Sequence, residues 1–250
     1  MSNEDYLRLA TVDNFRDVAG DGYATTDGGR VRTGVFFRSN ELRLSGPDLA
    51  TLTGLGLTAI IDLRSQGEID RHPDPAVDGA DWLHFDLFGI PMERVAAVRT
   101  VADAEEIMET VYRGFVDDEH SRAQLGNVLR QLSTGAKQLF HCTAGKDRTG
   151  WTAALLLHIA GVDDATIASD YLLTNARSAA SRARLEASIV EAAGPERAAV
   201  FAPTLIADMT FLRAASDAVQ ASYGDRERYL RDGLGLDDET LGRLRALLRD

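Results

Sequence analysis

Cysteine is almost absent from this chain of 250 residues, which contains only Cys142. A single cysteine cannot form a disulfide within the chain, so the fold must be stabilised without one. Such cysteine usage is typical of proteins in reducing compartments, and the cytoplasm is therefore the predicted location.

Long apolar runs are also missing. No segment approaches the ~20 consecutive apolar residues that a membrane-spanning helix requires, so we expect no stable membrane anchor. The first ten residues carry acidic side chains and no apolar stretch, so they do not resemble a secretory signal. Export by a route that leaves no N-terminal signal is still compatible with the sequence.

Positive charge is scarce, with 27 lysine and arginine residues against 39 aspartate and glutamate residues and a formal net charge of −12. Nucleic acids and anionic membranes bind basic surfaces, so neither is expected as a partner. Lysine occurs only as Lys137 and Lys146. A site for a negatively charged substrate must therefore be locally positive within an acidic protein.

Segments rich in β-branched and aromatic residues alternate with segments of helical periodicity. Strands are predicted at 31–38, 57–63, 82–87 and 138–142. Helices are predicted at 47–55, 102–116, 121–133, 149–160, 179–193, 203–222, 225–233 and 237–248. The alternation predicts an α/β fold, with a central, mostly parallel sheet flanked by helices and an added C-terminal helical region. No linker divides the chain, so residues 1–250 are expected to form one domain.

The most informative segment is HCTAGKDRTG, which runs from His141 to Gly150. It places Cys142 six residues before Arg148, between a predicted strand and a predicted helix. The first amides of a helix have no partner within it and lie at the positive end of its dipole, so they can bind an anion. The residues predicted to bind phosphate in this way are Thr143, Ala144, Gly145, Lys146, Asp147 and Arg148.

The same segment supplies groups that cleavage of a phosphate monoester needs. A helix N-terminus lowers the pKa of a cysteine thiol to roughly 3.5–7.5, so Cys142 is expected to be a nucleophilic thiolate. Arg148 can hold two phosphoryl oxygens through its planar guanidinium. Thr149 can donate its hydroxyl to the departing sulfur, and His141 is placed to hold the loop by hydrogen bonds. The alternative is a buried, purely structural cysteine.

A carboxyl group must also protonate the leaving group and later activate water. Asp147 in the loop is one candidate, and its alternative role is to interact with the helix dipole. Asp62 ends a strand predicted to lie parallel to the one before the loop, so it would emerge at the same sheet edge. Its alternative role is an ion pair with Arg64 or Arg148. Asp86 ends the following strand and is the third candidate.

The decapeptide resembles the signature of the bacterial branch of the protein-tyrosine phosphatases. The segments NFRDVAG (14–20), VFFRS (35–39), IIDLRS (60–65) and DYLLTN (170–175) resemble further motifs of that branch. The resemblance extends over nearly the whole chain. It implies a phosphatase with a phosphocysteine intermediate that uses no metal and no other cofactor, and it makes Asp147 the first choice for the acid.

The resemblance implies a phosphotyrosine protein as substrate, with phosphoserine and phosphothreonine as weaker substrates. Lys146 adds a second cation to the loop, which is similar to phosphatases that also accept phosphoinositides. The alternative from a different class is a catalytically silent module that only binds phosphorylated partners.

The C-terminal helical region allows two interpretations. The resemblance assigns residues 178–222 to a mobile lid over the active site, with Phe201, Leu205 and Met209 facing the pocket. The alternative for 178–197, which is polar on most faces, is an exposed and solvated helix.

Other conspicuous residues are predicted to be structural. Arg16 and Asp17 are expected to hold the N-terminal segment near the loop, and Trp82 and Trp151 are expected in the core. The remaining histidines are His72, His84, His120 and His158. They are far apart and lack the spacing of metal ligands, so no metal site is expected.

Overall fold

The computed structural model describes residues 8–87, 89 and 92–249. Its strands are β1 (Arg16–Asp17), β2 (Phe36–Ser39), β3 (Ala59–Asp62), β4 (Asp81–His84) and β5 (Gln138–His141). They form one sheet in the order β1-β2-β5-β3-β4. β1 pairs with β2 in the antiparallel sense, and all other neighbours are parallel. The predicted α/β fold with a mostly parallel sheet is confirmed.

Helices connect and cover these strands. They are α1 (Gly46–Leu55), α2 (Gln66–Arg71), α3 (Met92–Ala97), α4 (Val101–Asp117), α5 (Glu119–Leu132), α6 (Asp147–Ile159), α7 (Asp164–Arg177), α8 (Ala179–Ala193), α9 (Pro195–Phe201), α10 (Met209–Tyr223), α11 (Arg226–Arg228) and α12 (Asp238–Leu248). A 3₁₀ turn (Ala202–Leu205) precedes α10, and a π-helical turn (Tyr229–Gly233) follows α11.

Several helix ends follow from the local sequence. The Ser45 hydroxyl caps α1, Pro47 lies in its first turn, and Gly56 ends it with a φ of 65° in the left-handed region. Thr100 and Asp103 form a capping box at the start of α4.

Both faces of the sheet are covered, which explains why its central strands are so apolar. Successive side chains of a strand point to opposite faces. On β3, Ile60 joins a small apolar cluster with Leu52 of α1, whereas Ile61 joins the main core. Leu139 and Phe140 of β5 divide in the same way. The sheet is thus held between two apolar layers.

Three predicted elements differ clearly from the observed ones. The strand predicted at 31–38 begins only at Phe36, because Gly34 has a φ of 77° and interrupts the extended chain. β4 ends at His84 rather than at residue 87. The helix predicted at 203–222 is broken, since Ile206 and Asp208 are extended and Asp208 caps the new helix α10.

The two tryptophans differ from one another. Trp151 on α6 is 1 % exposed, as predicted, but Trp82 is 48 % exposed, so its predicted core position is wrong. The reason is that β4 is an edge strand of the sheet. The Trp82 indole donates to Asp74 Oδ2 at 3.3 Å, and its ring stacks on His84.

Helix α10 packs against α4 and buries Phe211, Ala215 and Val219 in the main core. Across the described ranges, no single helix is both long and apolar enough to cross a bilayer. One bent pair, Pro195–Leu205 with Met209–Tyr223, passes such a test of length and composition when the two segments are taken together.

Candidate active site

Cys142 lies at the carboxyl edge of the sheet, where three parallel strands end together. His141 at the end of β5 is level with Ser39 of β2 and Asp62 of β3. The Cys142 loop, comprising residues 142–148, leads directly into α6 at Asp147. Cys142 itself is 1 % exposed. The structure therefore has the strand, loop and helix that the sequence predicts here.

Gly145 determines the shape of the Cys142 loop. Its φ of 64° lies in the left-handed region, and a Cβ at this position would collide with the carbonyl of Ser39. The Gly145 carbonyl accepts hydrogen bonds from Asn14 Nδ2 at 2.8 Å and from Arg38 Nη2 at 3.0 Å. Two segments that are distant in the sequence thus fix the loop.

The first amides of the loop are open to a ligand. In the part of the chain that the structure describes, the amides of Thr143, Ala144, Gly145 and Lys146 donate to no other residue. The carbonyl of Thr143 accepts a bond from the Glu41 amide at 3.2 Å. Unpaired amides at a helix N-terminus form an anion site, so this arrangement suits a phosphoryl group.

A buried ion-pair network supports the loop from behind. Arg16 Nε and Arg38 Nη1 donate to the two carboxylate oxygens of Asp170, at 3.1 and 2.9 Å. Burial disfavours charge on Asp170, but both guanidinium groups hold its pKa below the usual range. Burial and the neighbouring Arg16 lower the pKa of Arg38 to about 10, so Arg38 is still a cation at neutral pH. Arg16 thus has the predicted supporting position.

Arg148 is held end-on by a carboxylate that the sequence did not reveal. Its Nη1 and Nη2 atoms donate to Glu68 Oε2 and Oε1, each at 2.7 Å. Nη1 also donates to the carbonyl of Leu63 at 3.3 Å. Burial alone would raise the pKa of Glu68, but the adjacent Arg148 holds it well below the usual range.

These hydrogen bonds leave one edge of the guanidinium available. A guanidinium has five N–H donors, and in the described structure Glu68 and Leu63 engage three of those of Arg148. The remaining two, on Nε and Nη2, are neighbours and form a planar fork that matches two phosphoryl oxygens. Arg148 is 8 % exposed, so its orientation is fixed before any ligand arrives.

Glu68 owes its position to the start of α2. The amide and hydroxyl of Ser65 both donate to Glu68 Oε2 at 2.9 Å, and the Thr143 hydroxyl donates to Oε1. The Ser65-x-x-Glu68 pattern is a capping-box signal that the sequence contains. Its partner Arg148 is 80 residues away, so the pattern alone could not indicate the ion pair.

Asp147 is held by two buried tyrosines. The Tyr112 hydroxyl donates to Asp147 Oδ1 at 2.9 Å and lies 2.7 Å from the Tyr171 hydroxyl. Because Tyr112 has one proton to donate, the Tyr171 hydroxyl must in turn donate to Tyr112. Burial, and then the charge of Asp147, raise the pKa of Tyr112 well above the usual range, so Tyr112 is a permanent donor. The Asp147 side chain is 21 % exposed and therefore accessible to a ligand.

The ammonium group of Lys146 is saturated by protein acceptors. Its Nζ donates to the carbonyls of Thr204 at 2.6 Å and Ile206 at 3.0 Å, and it lies 3.4 Å from Asp147 Oδ1. An ammonium has three donors, so these three acceptors use all of them. Lys146 therefore offers its backbone amide to a phosphoryl group here, while its side chain ties the loop to the 3₁₀ turn.

Asp62 is fully buried and paired. It accepts hydrogen bonds from the Arg64 amide at 3.0 Å and from Arg64 Nη2 at 2.7 Å. Arg64 also reaches Asp74 at 2.9 Å, and the other oxygen of Asp74 bonds to His141 Nε2 at 2.8 Å. This placement agrees with the alternative role of Asp62, an ion pair with Arg64. It also gives His141 a position that fixes the end of β5.

The same network brings three potential metal ligands together. One ligand atom from each of Asp62, Asp74 and His141 lies within 4.8 Å of the others. The guanidinium of Arg64 is bonded to both carboxylates and already supplies the positive charge. This cluster therefore does not fit a metal ion, and the absence of a metal or other cofactor stays a prediction.

The other residues singled out in the sequence are dispersed. The hydroxyl of Thr149 is buried and has no partner among the described residues, so it is free to donate to a bound group. Asp86 lies outside the Cys142 loop, and its carbonyl bonds to His120 Nε2 at 3.1 Å. His84 Nε2 bonds to the carbonyl of Arg64 at 2.7 Å.

A cavity of about 490 Å³ adjoins the Cys142 loop. Leu205 lines it, as predicted, whereas Phe201 and Met209 pack against the main core. That these two side chains face the active site stays a prediction. Helix α8 contributes one wall although none of its residues is buried. Helix α8 and the 3₁₀ turn are thus parts of the predicted lid that line the cavity, whereas α10 packs into the core.

The family profile and the relatives that match this chain all identify phosphatases. Residues 7–250 match the sequence profile of the tyrosine phosphatase family. The chain is 35% identical over 241 residues to a Cupriavidus necator protein named as a candidate tyrosine-protein phosphatase, covering 92% of this chain and 85% of the relative. It is 33% identical over 271 residues to the triple specificity protein phosphatase PtpB of Mycobacterium tuberculosis, covering 94% and 96%. A tyrosine-protein phosphatase of Nostoc commune is 33% identical over 144 residues, covering 56% and 48%.

Proposed function

The chain belongs to the tyrosine phosphatase family, and on this premise we propose that it hydrolyses phosphotyrosine in proteins through a phosphocysteine on Cys142. One observation carries the proposal: the Cys142 loop combines unpaired amides, an arginine with an available fork and a partly exposed aspartate. Each of these groups has a role in the transfer of a phosphoryl group.

In the first step the Cys142 thiolate attacks phosphorus. A bond forms between sulfur and phosphorus, and the bond between phosphorus and the tyrosine oxygen breaks. Asp147 donates its proton to that oxygen, so tyrosine leaves as a neutral phenol. The phosphoryl group is then carried by Cys142.

In the second step water attacks the same phosphorus. Asp147, now a carboxylate, takes a proton from the water, and the bond between sulfur and phosphorus breaks. Inorganic phosphate is released, and the thiolate of Cys142 is restored. The unpartnered Thr149 hydroxyl supports this step, because it can donate to the sulfur as negative charge returns there.

Charge on the phosphoryl oxygens is stabilised in both steps by groups that are already in place. In this proposal the transferred group is bound by the amides at 143–146, which have no other partner among the described residues, and by the Nε and Nη2 donors of Arg148. Such preorganised donors contribute strongly to catalysis because they need not reorganise during the reaction.

Asp147 suits the role of the acid better than the two other candidates. Its carboxylate is accessible, and it lies one residue from Arg148. Asp62 is fully buried and bonded to Arg64, which makes it a positioning residue in this proposal. The side chain of Asp86 has no hydrogen bond or ion pair with the Cys142 loop among the described residues.

Phosphotyrosine is the first substrate to consider, and phosphoserine, phosphothreonine and phosphoinositides are further ones. The triple specificity in the name of the Mycobacterium tuberculosis relative supports a broad range. The ammonium of Lys146 would have to leave its carbonyl partners before it could contact a lipid headgroup, which favours the protein substrate. The single cysteine supports a reducing location such as the cytoplasm.

The test is phosphate release from a phosphotyrosine peptide, a phosphoserine peptide and a monophosphorylated phosphoinositide, with a chelator present. Wild type should release phosphate, fastest from the phosphotyrosine peptide. Cys142→Ser should retain phosphate binding without turnover, because the hydroxyl is a far weaker nucleophile. Arg148→Ala should lose both.

Arg243→Ala is the matched control for loss of an arginine, since Arg243 is on α12 and half-exposed. It should behave as wild type. Phosphate binding by wild type without release from any of the three substrates would contradict the proposal and would favour the catalytically silent binding module. Turnover by Cys142→Ser would contradict the covalent mechanism.

A further inference from the structure

We propose that Asn14 is a positioning residue for catalysis, which turns the peptide unit between Gly145 and Lys146 so that the Lys146 amide faces the transferred phosphoryl group. The inference rests on the proposed function and deepens it, because it assigns part of the anion binding to a side chain outside the Cys142 loop. Asn14 does not touch the substrate and acts through the loop backbone.

The carbonyl of Gly145 is bound by two buried side chains. It accepts hydrogen bonds from Asn14 Nδ2 at 2.8 Å and from Arg38 Nη2 at 3.0 Å. In a planar trans peptide the C=O and N–H bonds point in opposite directions. The Lys146 amide belongs to the same peptide unit, so it must point away from both donors. In the described structure it meets no protein acceptor there and is left for a ligand at the start of α6.

The same two hydrogen bonds make the Lys146 amide a stronger donor. Hydrogen bonds in a chain polarise one another, so a carbonyl that accepts two bonds strengthens the N–H of its own peptide unit. One of the two donors, Arg38, is a fully buried cation, and little solvent screens its charge. The peptide unit is therefore oriented and polarised before an anion arrives, which is what transition-state binding requires.

The orientation of the Asn14 side chain is itself fixed. Arg16 Nη1 donates to Asn14 Oδ1, and a guanidinium has no acceptor, so the oxygen of the Asn14 amide must face Arg16. The Nδ2 group is then left to donate to Gly145. Arg16 is held in turn by Asp170, to which its Nε donates at 3.1 Å. A chain of buried hydrogen bonds thus connects Asp170 to the loop backbone.

The backbone of Asn14 also points to a role of its side chain. Its φ of 60° lies in the left-handed region, which glycine adopts without strain and other residues adopt at a cost of about 1–2 kcal/mol. Strained backbone of this kind is typical of functional sites. Asn14 is 2 % exposed, so contact with solvent does not explain a polar side chain at this position. Its bonds to Gly145 and Arg16 do.

The peptide unit between Thr143 and Ala144 is held in a similar way, but by backbone. The Thr143 carbonyl accepts from the Glu41 amide at 3.2 Å, which directs the Ala144 amide to the opposite side. Substitution of a side chain does not remove that backbone donor. Asn14 therefore offers the cleaner test of whether a tied carbonyl orients a loop amide.

The experiment observes the Lys146 amide directly, because the chain has only two lysines, Lys137 and Lys146. In protein labelled with ¹⁵N-lysine, the backbone spectrum contains one signal from each, and Lys137→Arg assigns them. Saturating inorganic phosphate should move the Lys146 amide proton of wild type downfield, because an anion is a strong acceptor. Lys137 donates to the Val35 carbonyl at 2.7 Å and should not respond.

Asn14→Asp keeps the shape of the side chain and its bond to Arg16, but as a carboxylate it cannot donate to Gly145. At saturating phosphate, the downfield movement of Lys146 should be reduced to less than half. We expect kcat/KM for p-nitrophenyl phosphate to fall about 10–100-fold, mostly through kcat, because a preorganised donor acts chiefly on the transition state. Phenyl phosphate should show the same loss, since the amide binds phosphoryl oxygens and not the leaving group.

Asn14→Gly removes the donor without adding charge, and a φ of 60° suits glycine, so this variant keeps the test valid should a carboxylate there disturb folding. It should show the same kinetic losses, with a midpoint of thermal unfolding within a few degrees of that of wild type. Asn127→Asp is the matched control for the added charge. Asn127 lies exposed on α5 and accepts from Arg130 at 2.9 Å, so the variant should behave as wild type.

A Lys146 amide proton that does not move when phosphate binds to wild type would overturn the proposal, since the amide would not face the anion. So would unchanged kinetics in both Asn14 variants. A lower unfolding midpoint combined with wild-type kcat would make Asn14 a purely structural residue. A failure of the proposed function would differ: wild type would not hydrolyse p-nitrophenyl phosphate, whereas the response of Lys146 to phosphate would still be measured.

Discussion

Glu68 and Arg148 form an end-on ion pair with two hydrogen bonds of 2.7 Å. The carboxylate lies against one edge of the guanidinium and leaves the edge with Nε for a phosphoryl group. The Glu68 carboxylate repels a phosphate bound nearby. It also holds the Arg148 guanidinium in one orientation before a substrate binds, so no ordering of this side chain is needed on binding.

Replacing Glu68 with glutamine should therefore impair catalysis although Glu68 does not touch the substrate. The isosteric amide can accept only one of the two bonds, so Arg148 will shift. We expect kcat/KM for a phosphotyrosine peptide to fall by about 10–100-fold, because small displacements of a positioning group have effects of this order. Steady-state kinetics with wild type and Glu68→Gln measure this.

Glu109→Gln serves as the control for Glu68→Gln. Glu109 also pairs with an arginine, Arg113 at 3.0 Å, but on the exposed surface of α4. Its loss should leave kcat/KM unchanged. If Glu68→Gln had the same kinetics as this control, Glu68 would have no positioning role.

The contrast between Arg148 and Glu68 shows what the sequence could reveal about the site. Cys142 and Arg148 lie in one continuous motif whose local chemistry predicts a strand, an anion loop and a helix. Glu68 and Tyr112 reach the same loop from 80 and 35 residues away. Their contacts depend on how separate elements pack, and no local pattern records that packing.

Tyr112 should matter most for substrates with poor leaving groups. Tyr112→Phe removes the donor to Asp147 and leaves the Tyr171 hydroxyl without its acceptor. A misplaced acid slows the departure of a basic phenolate more than that of p-nitrophenolate, which needs less protonation. We expect kcat/KM, which reports the first step of the reaction, to fall about tenfold for phenyl phosphate and about twofold or less for p-nitrophenyl phosphate.

Tyr229→Phe is the matched control, since Tyr229 is equally buried and its hydroxyl bonds to the Phe115 carbonyl at 2.9 Å. It should lower thermal stability without altering the ratio of the two rates. An equal loss of kcat/KM for both substrates in Tyr112→Phe would indicate general damage to the site and would argue against a role through Asp147.

Gly145 should tolerate no side chain. Gly145→Ala combines an unfavourable left-handed φ of 64°, which costs about 1–2 kcal/mol, with a clash against the Ser39 carbonyl. We expect a lower midpoint in thermal unfolding and a loss of phosphate binding, because the loop amides will be displaced. Isothermal titration with inorganic phosphate measures the second effect.

Gly242→Ala is the matched control for Gly145→Ala, and it should have the opposite effect on stability. Gly242 lies within α12, and a Cβ there meets no atom within 4 Å. The substitution should stabilise the fold by up to about 1 kcal/mol, as alanine does in helices. If Gly145→Ala also left stability and phosphate binding intact, the glycine would not be required by the loop.

The errors of the sequence interpretation have physical causes as well. A run such as 31–38 reads as one strand, but the left-handed Gly34 divides it. Trp82 reads as a core residue, but β4 lies at the sheet edge, and edge position follows from strand order. Periodicity also continued through 203–222, whereas the extended residues at 206 and 208 allow Asp208 to cap a new helix.

Asp17 should make stability depend on pH in an unusual direction. It accepts hydrogen bonds from the amides of Ala19 and Gly34 and so fixes the N-terminal segment itself. Among the described residues its carboxylate has no hydrogen bond or ion pair with the Cys142 loop. Burial outweighs these bonds and raises the pKa of Asp17 from 3.8 to about 6. The folded state therefore binds a proton more tightly than the unfolded state does.

The stability that Asp17 contributes decreases as the pH rises. The contribution of Asp17 to stability is fully present below pH 4 and is lost as the pH rises through about 6. Asp17→Asn cannot titrate, so the free energy of unfolding of wild type minus that of the variant should decrease between pH 4 and 7, by up to about 3 kcal/mol. Urea unfolding at both pH values measures this difference.

For Asp163→Asn, the difference in the free energy of unfolding between wild type and variant should change with pH in the opposite direction. Asp163 caps α7, and hydrogen bonds, above all from the Thr166 amide, lower its pKa. Its contribution to stability is present above the ordinary aspartate pKa and is lost as the pH falls. The free energy of unfolding of wild type minus that of Asp163→Asn should therefore increase between pH 3 and 5. Slopes of the same sign for the two variants would contradict the role of burial at Asp17, because burial is what distinguishes these two carboxylates.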